Sequence, residues 1–318
     1  MKYNKLEYNS ALFLSSISLF LGIGISKIIN NVGSDSWISI IIGTLIGLLI
    51  NYLYTKLPNH ENKLFIYIYN IILLTINLLL ITKLISSIYL NKTPNLIVIL
   101  PIMLLLFYIS NKGIQTIFKT SLLLLFIYLI LTIIPIISLT PNINIDEFKP
   151  LFTSNLTTII LNSIYYALIS TTPFILFPKF KEYYNYKTYL LSSLLILLIF
   201  IIIIGNLGIN LSKLYRYPEY MVFKEISLLG FIENIQNILS YLWLFCNFIF
   251  SSISTYNIKR ISNNKILIIT LIIITIILNI FLLNNYIYAE IITKYFIYIL
   301  LFTIILYLLS KLIPQNKD

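Results

Sequence analysis

The sequence predicts an all-α polytopic membrane protein of ten transmembrane helices, built as a five-plus-five inverted repeat in which helices 1 and 6 are broken. Three observations predict it. Ten long, almost charge-free apolar runs cover the chain from end to end. Apolar residues make up 59% of the 318 and charged residues 10%, whereas a soluble globular domain carries about 25% charge. Two runs, the first and the sixth, are interrupted at about the same place, by Leu21-Gly22-Ile23-Gly24-Ile25-Ser26 and by Ser170-Thr171-Thr172-Pro173-Phe174. Paired broken helices at matching positions of two halves point to a midplane binding site in secondary transporters.

A bilayer-spanning helix needs roughly 20 apolar residues. In the first half the runs are Asn9–Ser26, Ser36–Thr55, Leu64–Thr82, Thr93–Asn111 and Thr120–Thr140; in the second they are Leu151–Pro178, Thr188–Ser212, Asn234–Ile258, Ile266–Ala289 and Ile291–Ser310. The reading is a single integral membrane domain over 1–318, with repeat one at about 9–140 and repeat two at about 151–312. The longest gap between runs, Lys213–Glu233, leaves no room for a soluble domain. Lys294, near the outer end of the tenth run, reaches the interface by its long stem. The first run leads into further spans without a small-residue cleavage site, so no cleavable signal peptide is expected.

Basic residues set the expected orientation. With a cytoplasmic amino terminus, the inner segments hold Lys2, Lys5, Lys56, Lys63, Lys112, Lys119, Lys179, Lys181, Lys187, Lys259, Arg260, Lys265, Lys311 and Lys317, which is 14 of the 22 Lys and Arg. This bias places both termini inside. It also accounts for most of the net charge of +11, so the charge gives no reason to expect a nucleic-acid surface.

Five spans per half is an odd number, so the second half starts on the opposite side and is inverted. In the first break, Gly22 and Gly24 leave helical geometry cheaply and allow a ligand to approach bare backbone. In the sixth run, Pro173 removes a backbone donor and crowds the carbonyl of Ile169. Ser170, Thr171 and Thr172 then satisfy freed groups or face a ligand. Such irregular backbone persists at membrane depth only when buried in protein or lining a wet cavity. Small residues also serve simple close packing of helices; the coincidence of the two positions favours the binding reading.

The runs hold no Asp or Glu, which leaves a proton relay without its usual ionisable group. Lys83, toward the outer end of the third run, is read as snorkelling. Catalysis and metal binding need convergent His, Asp, Glu or Cys groups. Here the single cysteine, Cys246, lies inside the eighth run, and the single histidine, His60, lies in a short inner loop. Neither an enzyme nor a cofactor or metal site is expected.

The outer segment Lys213–Glu233 mixes aromatics with charges. It reads as an interfacial hairpin, a cap over the outer vestibule, or a docking face for another subunit through Arg216, Glu225 and Glu233.

Several stretches, in order along nearly the whole chain, carry a family likeness. They are Gly22-Ile23-Gly24-Ile25 through Gly33-Ser34-Asp35-Ser36-Trp37-Ile38-Ser39, then Asn111-Lys112-Gly113-Ile114-Gln115-Thr116 and Phe148-Lys149-Pro150-Leu151. Tyr217-Pro218, Phe231-Ile232-Glu233 and Leu242-Trp243 follow. Together they resemble the endospore germination permeases, the B subunits of nutrient germinant receptors. That family is similar to the amino acid/polyamine/organocation (APC) transporter superfamily. The resemblance implies a LeuT-like ten-helix bundle in the inner membrane of a spore. It implies a subunit that works with A and C subunits, senses a nutrient, usually an amino acid, and triggers germination. Asn234 departs from the Arg that often follows the Phe-Ile-Glu triplet. Two other readings stay open: a stand-alone amino-acid or organocation transporter, and a scaffold subunit with a vestigial cavity.

On the receptor reading, a small zwitterion sits between the breaks. Its carboxylate faces freed amides around Gly22, Ile23, Gly24 and Ile25. Its ammonium meets carbonyls around Ser170, Thr171, Thr172 and Pro173. Asn77 on the third span and Asn247 on the eighth are the side walls.

Overall fold

The computed structural model describes residues 4–56, 63–175, 183–225 and 236–277, with Tyr298 and Ile305. The tenth run apart from Tyr298 and Ile305, the second half of the ninth, His60 and the Phe231-Ile232-Glu233 triplet lie outside the described residues. The elements are α1 (Lys5–Ser18), a π-helical turn (Phe20–Gly24), α2 (Ile25–Val32), a 3-10 turn (Gly33–Asp35) and α3 (Ser36–Lys56). Next come α4 (Lys63–Ile88), α5 (Asn95–Lys112), α6 (Ile114–Leu139), α7 (Leu156–Ile175) and α8 (Tyr186–Leu214). The short α9 (Pro218–Val222), α10 (Gln236–Ile261) and α11 (Asn264–Ile277) follow. Among the described residues, six helical segments are long and apolar enough to cross a membrane: Ile25–Lys56, Lys63–Ile88, Asn95–Lys112, Ile114–Asn142, Tyr186–Leu214 and Gln236–Ile261.

Local chemistry sets the ends of these helices. Asn4 caps α1 by accepting from the Leu6 N–H at 3.0 Å, and Asn185 caps α8 by accepting from the Lys187 N–H at 3.1 Å. Each bond satisfies one of the donors that a helix start leaves open. Gly113 joins α5 to α6 at φ 96°, and Gly208 bends α8 at φ 71°; these are conformations that side-chain-bearing residues rarely adopt. The Glu147 carboxylate lies 2.7 Å from where a Cβ on Gly208 would be, and the Asn144 N–H donates to the Gly205 carbonyl at 2.9 Å. The loop after α6 is thereby seated in the α8 bend. The Asp146–Lys149 ion pair on this loop, at 2.8 Å, is exposed, and the ammonium holds the Asp146 carboxyl below its usual range. Its contribution to stability is small in water.

Hydrogen bonds sort the loops into two ends of the bundle. At one end, Asn9 donates to the Tyr183 carbonyl and accepts from Thr188, Ser10 bonds Ser121, and Lys259 donates to the Ser110 carbonyl. At the other end, the buried Asp35 accepts from the Phe152 N–H at 2.8 Å, the Ser154 N–H at 3.0 Å and Thr153 Oγ1 at 3.2 Å. There Tyr89 and Tyr220 both donate to Asn237 Oδ1, at 3.0 and 3.2 Å.

The closest-knit pair is α3 with α7. Ser39, Gly43, Gly47 and Asn51 place small or slim residues every fourth position along α3. The Gly43 Cβ position would fall 2.6 Å from the Ser163 carbonyl, and that of Gly47 would fall on the Tyr189 hydroxyl. Small residues at this spacing let membrane helices approach closely. Further pairs are α1 with α7, α3 with α8, α4 with α10 and α5 with α11.

Candidate functional site

At the first expected break the helix is irregular but not interrupted. The backbone is wound one residue wider rather than unwound: Phe20–Gly24 is a π turn, closed by the Ile25 N–H bonding the Phe20 carbonyl. Gly24, at φ −66° and ψ −42°, remains in helical geometry. The expected free amide at Ile25 is therefore occupied. The bare backbone at Gly24 is covered by the chain's own Phe20 ring, which lies where a Gly24 Cβ would go. Span one also runs further than its apolar run, to Val32. Lys27 sits on that extension with its ammonium 4.2 Å from the Tyr165 ring centre, an attraction that offsets part of the cost of a cation there.

The expected break at Ser170–Phe174 is corrected. α7 continues through this segment to Ile175, and residues 176–182 lie outside the described residues. Pro173 deletes only its own N–H, and the three hydroxyls before it reinforce the helix. Ser170 donates to the Tyr166 carbonyl at 2.8 Å, Thr171 to Ala167 at 2.7 Å and Thr172 to Leu168 at 2.7 Å. Ser170 faces α8, 2.8 Å from the Tyr189 hydroxyl. The three hydroxyls that were expected to face a ligand are thus turned to their own helix.

The π turn is enclosed by three helices. The Phe20 ring meets Tyr166 of α7 edge-on at 5.0 Å and Phe200 of α8 at 5.8 Å. The Ser18 carbonyl, at the last residue of α1, accepts from Trp243 Nε1 of α10 at 3.0 Å. One turn further along α10, Asn247 donates from Nδ2 to the Trp243 carbonyl at 2.9 Å. Asn77 of α4 donates from Nδ2 to the Asn247 carbonyl at 3.0 Å and to Ser251 Oγ at 2.6 Å. Backbone carbonyls only accept, which fixes both amide orientations. Asn77 Oδ1 and Asn247 Oδ1 are left buried with no hydrogen-bond partner. Two such acceptors cost about 1–3 kcal/mol each when unfilled. The structure therefore unites the π turn with α10, and Asn77 with Asn247, while Ser170 belongs to a neighbouring cluster with Tyr189.

Two small cavities lie toward the two ends of the bundle. Toward the end that carries Lys5 and Lys259, a cavity of about 10 Å³ lies among Tyr8, Asn51, Tyr54, Thr55, Phe174 and Tyr184. Toward the other end, a second of about 10 Å³ lies between Leu21 of the π turn, Trp243 and Ser240 of α10, and Tyr217, Glu219 and Tyr220 around α9. Each has room for about one water. Glu219 is 6% exposed and lines the second cavity. Arg216 is exposed, its guanidinium 5.6 Å from the Tyr217 ring centre. Glu225 closes the 3-10 turn Phe223–Glu225 that follows α9.

Sequence reasoning missed Phe20, Trp243, Glu219 and Asp35 as working residues. Trp243 and Asp35 both fall inside the resembling stretches, and Gly43-xxx-Gly47 was a readable packing signal. Among the described residues, no group of three or more His, Cys, Asp and Glu is placed to hold a metal ion.

Fold and seam define a helical integral membrane protein with a buried polar seam near a π turn. The chain matches the spore permease family, described as spore germination protein, over residues 62–291. It belongs to this family, whose name is that of a permease. No curated protein matches the chain.

Proposed function

We propose that this chain is the transporter-like membrane subunit of a spore germinant receptor, which binds a small nutrient, an amino acid by preference, and signals germination. The observation that carries the reading is the pair of buried, unfilled acceptors on Asn77 and Asn247 beside the π turn, in a chain of the germination family. Such turns recur at functional sites. An acceptor-only wall suits an N–H donor, so the nutrient's ammonium is assigned to Asn77 and Asn247 rather than to the α7 carbonyls. The carboxylate faces the π turn Phe20–Gly24, whose amides become available when the turn rewinds. Ser170–Pro173 line the adjoining wall.

Ten spans in two inverted halves remain the proposed architecture. The packed pairs α1–α7, α3–α8, α4–α10 and α5–α11 support it, because each joins a run to the one five places later. Both termini are placed in the cytoplasm by the basic residues at that end, and the membrane is the spore inner membrane. A and C subunits dock on the outer face near Arg216, Glu225 and Glu233. Ligand binding shifts the bundle only through different affinity for its two arrangements; opening the cavities at either end of the seam is the natural difference. Spores carrying Asn247→Leu at normal protein level are expected to lose the nutrient response. An unchanged dose–response curve in those spores contradicts the assignment. Charge reversal of Glu225 and Glu233 to Lys is expected to reduce recovery of A and C subunits on co-purification and to spare ligand binding.

A further inference from the structure

A groove of about 280 Å³ runs between residues 100–107 of α5 and 268–275 of α11. Its floor is apolar and buried, at Met103 and Leu271, while Leu104 and Ile272 on its rims are exposed. Thr275, at one end, donates its hydroxyl to the Ile272 carbonyl of its own helix at 2.6 Å. The walls are thus hydrocarbon along their length. Seven residues of helix rise about 10 Å, less than the roughly 15 Å that one leaflet contributes to the hydrocarbon core. The groove therefore matches one chain in one leaflet.

The other end of the groove, at Phe107 and Ile268, is rimmed by positive charge. Lys112 ends α5 about 8 Å further along its axis, and Lys265 starts α11 about 4 Å further along the other. Both are exposed. Lys259 of α10 is held at the same place, donating to the Ser110 and Asn111 carbonyls at 3.4 and 3.5 Å. The helices packed on α5 are α4, α6, α10 and α11, and neither they nor α5 contain an Asp or Glu. Basic groups at the mouth of a pocket between membrane helices suit a lipid phosphate. We propose that this groove seats one acyl chain of an anionic phospholipid, with Lys112, Lys259 and Lys265 around its phosphate.

The apolar floor supplies the chain contact and the lysines supply the choice of headgroup. On the orientation drawn from the basic residues, the leaflet is the cytoplasmic one; the pairing of chain groove and charged mouth does not depend on that. Both α5 and α11 pack on α10, the helix that carries Asn247, so the lipid bears on the helix of the polar seam.

The purified protein, stripped of lipid in detergent, is titrated with dioleoylphosphatidylglycerol and separately with dioleoylphosphatidylcholine. Bound lipid is counted by native mass spectrometry. The expected result is one saturable phosphatidylglycerol, held roughly tenfold or more tighter than phosphatidylcholine. Lys112→Gln/Lys265→Gln is expected to erase that preference. Leu104→Trp/Ile272→Trp fills the groove from its exposed rims and is expected to remove the adduct. Equal binding of the two lipids by the unaltered protein overturns the proposal without recourse to a variant. So does unchanged phosphatidylglycerol binding in either double variant, or displacement of the lipid by an equal concentration of glycerol phosphate. Absence of any lipid adduct overturns it as well; a dimer that Leu104→Trp/Ile272→Trp dissociates would then give the groove to a second copy of the chain.

Discussion

The Trp243 indole donates a 3.0 Å hydrogen bond to the Ser18 carbonyl, at the residue where α1 gives way to the π turn. Both partners are buried, so the bond satisfies an acceptor that a widened turn exposes inside the bundle. It also ties span one to α10, the helix that carries Asn247. Trp243→Phe keeps a ring in place and removes the donor. The expected cost is about 1–3 kcal/mol, read as a lower midpoint of thermal unfolding in detergent together with a shifted nutrient dose–response. An unchanged midpoint would show that the π turn is held by other contacts.

Asp35 organises the opposite link. Its carboxylate takes three hydrogen bonds from residues 152–154, just before α7 begins, and Ser154 Oγ donates to the Val32 carbonyl at 2.7 Å. The segment that ends α2 and the loop before α7 are therefore fastened by the Asp35 carboxylate, with Ser154 and Ser34 adding further bonds. Asp35→Asn replaces one acceptor oxygen by a donor that faces N–H groups. The prediction is a loss of about 1.5–3 kcal/mol, the range for bonds to a charged group, and faster proteolysis within the 149–155 loop.

The α3 stripe makes a third prediction. A Cβ at Gly47 would coincide with the Tyr189 hydroxyl, so Gly47→Ala is expected to destabilise by about 1–3 kcal/mol through overpacking. Removing that hydroxyl as well, in Gly47→Ala/Tyr189→Phe, should recover part of the loss. No recovery in the double variant would place the strain elsewhere.

Topology is tested by cysteine labelling in a Cys246→Ser background. Asn142→Cys, in the turn after α6, is expected to react with an impermeant thiol reagent in intact cells. Asn263→Cys, between α10 and α11, is expected to react only after permeabilisation. Outward labelling at Asn263 would reverse the orientation drawn from the basic residues and with it the inverted repeat.

Six long apolar helices were legible because a bilayer demands length and apolarity, and both are written in composition. The described helices α3 to α8 and α10 lie close to the runs from Ser36 to Ile258. Span one was read too short because Lys27, Asn30 and Asn31 look like a flank. Their cost is offset by the Tyr165 ring and by the Asn31–Asn162 side-chain bond at 3.0 Å, partners far away in sequence. The Ser170–Phe174 segment was read as a break because Pro173 is a breaker in isolation. Whether neighbouring hydroxyls bond back to their own helix is a rotamer outcome that sequence does not display. Asn77 and Asn247 were readable as polar residues at matching depth, but the direction of their amides depends on which backbone carbonyls they meet. Glu219 was hidden for the same reason: its burial follows from the fold of α9 over Trp243.

The most direct test of the central claim is amino-acid binding to the purified protein in lipid nanodiscs, wild type against Asn247→Leu. Leucine fills a similar volume, and the only protein hydrogen bond the Asn247 side chain makes among the described residues is to its own helix, so the fold should survive. The account predicts saturable binding of at least one amino acid by the wild type, weakened roughly tenfold or more in the variant, since a hydrogen bond to a charged group is worth about 1.5–3 kcal/mol. Equal affinity in the two proteins, with matching unfolding profiles, would contradict the placement of the nutrient at the Asn77–Asn247 seam.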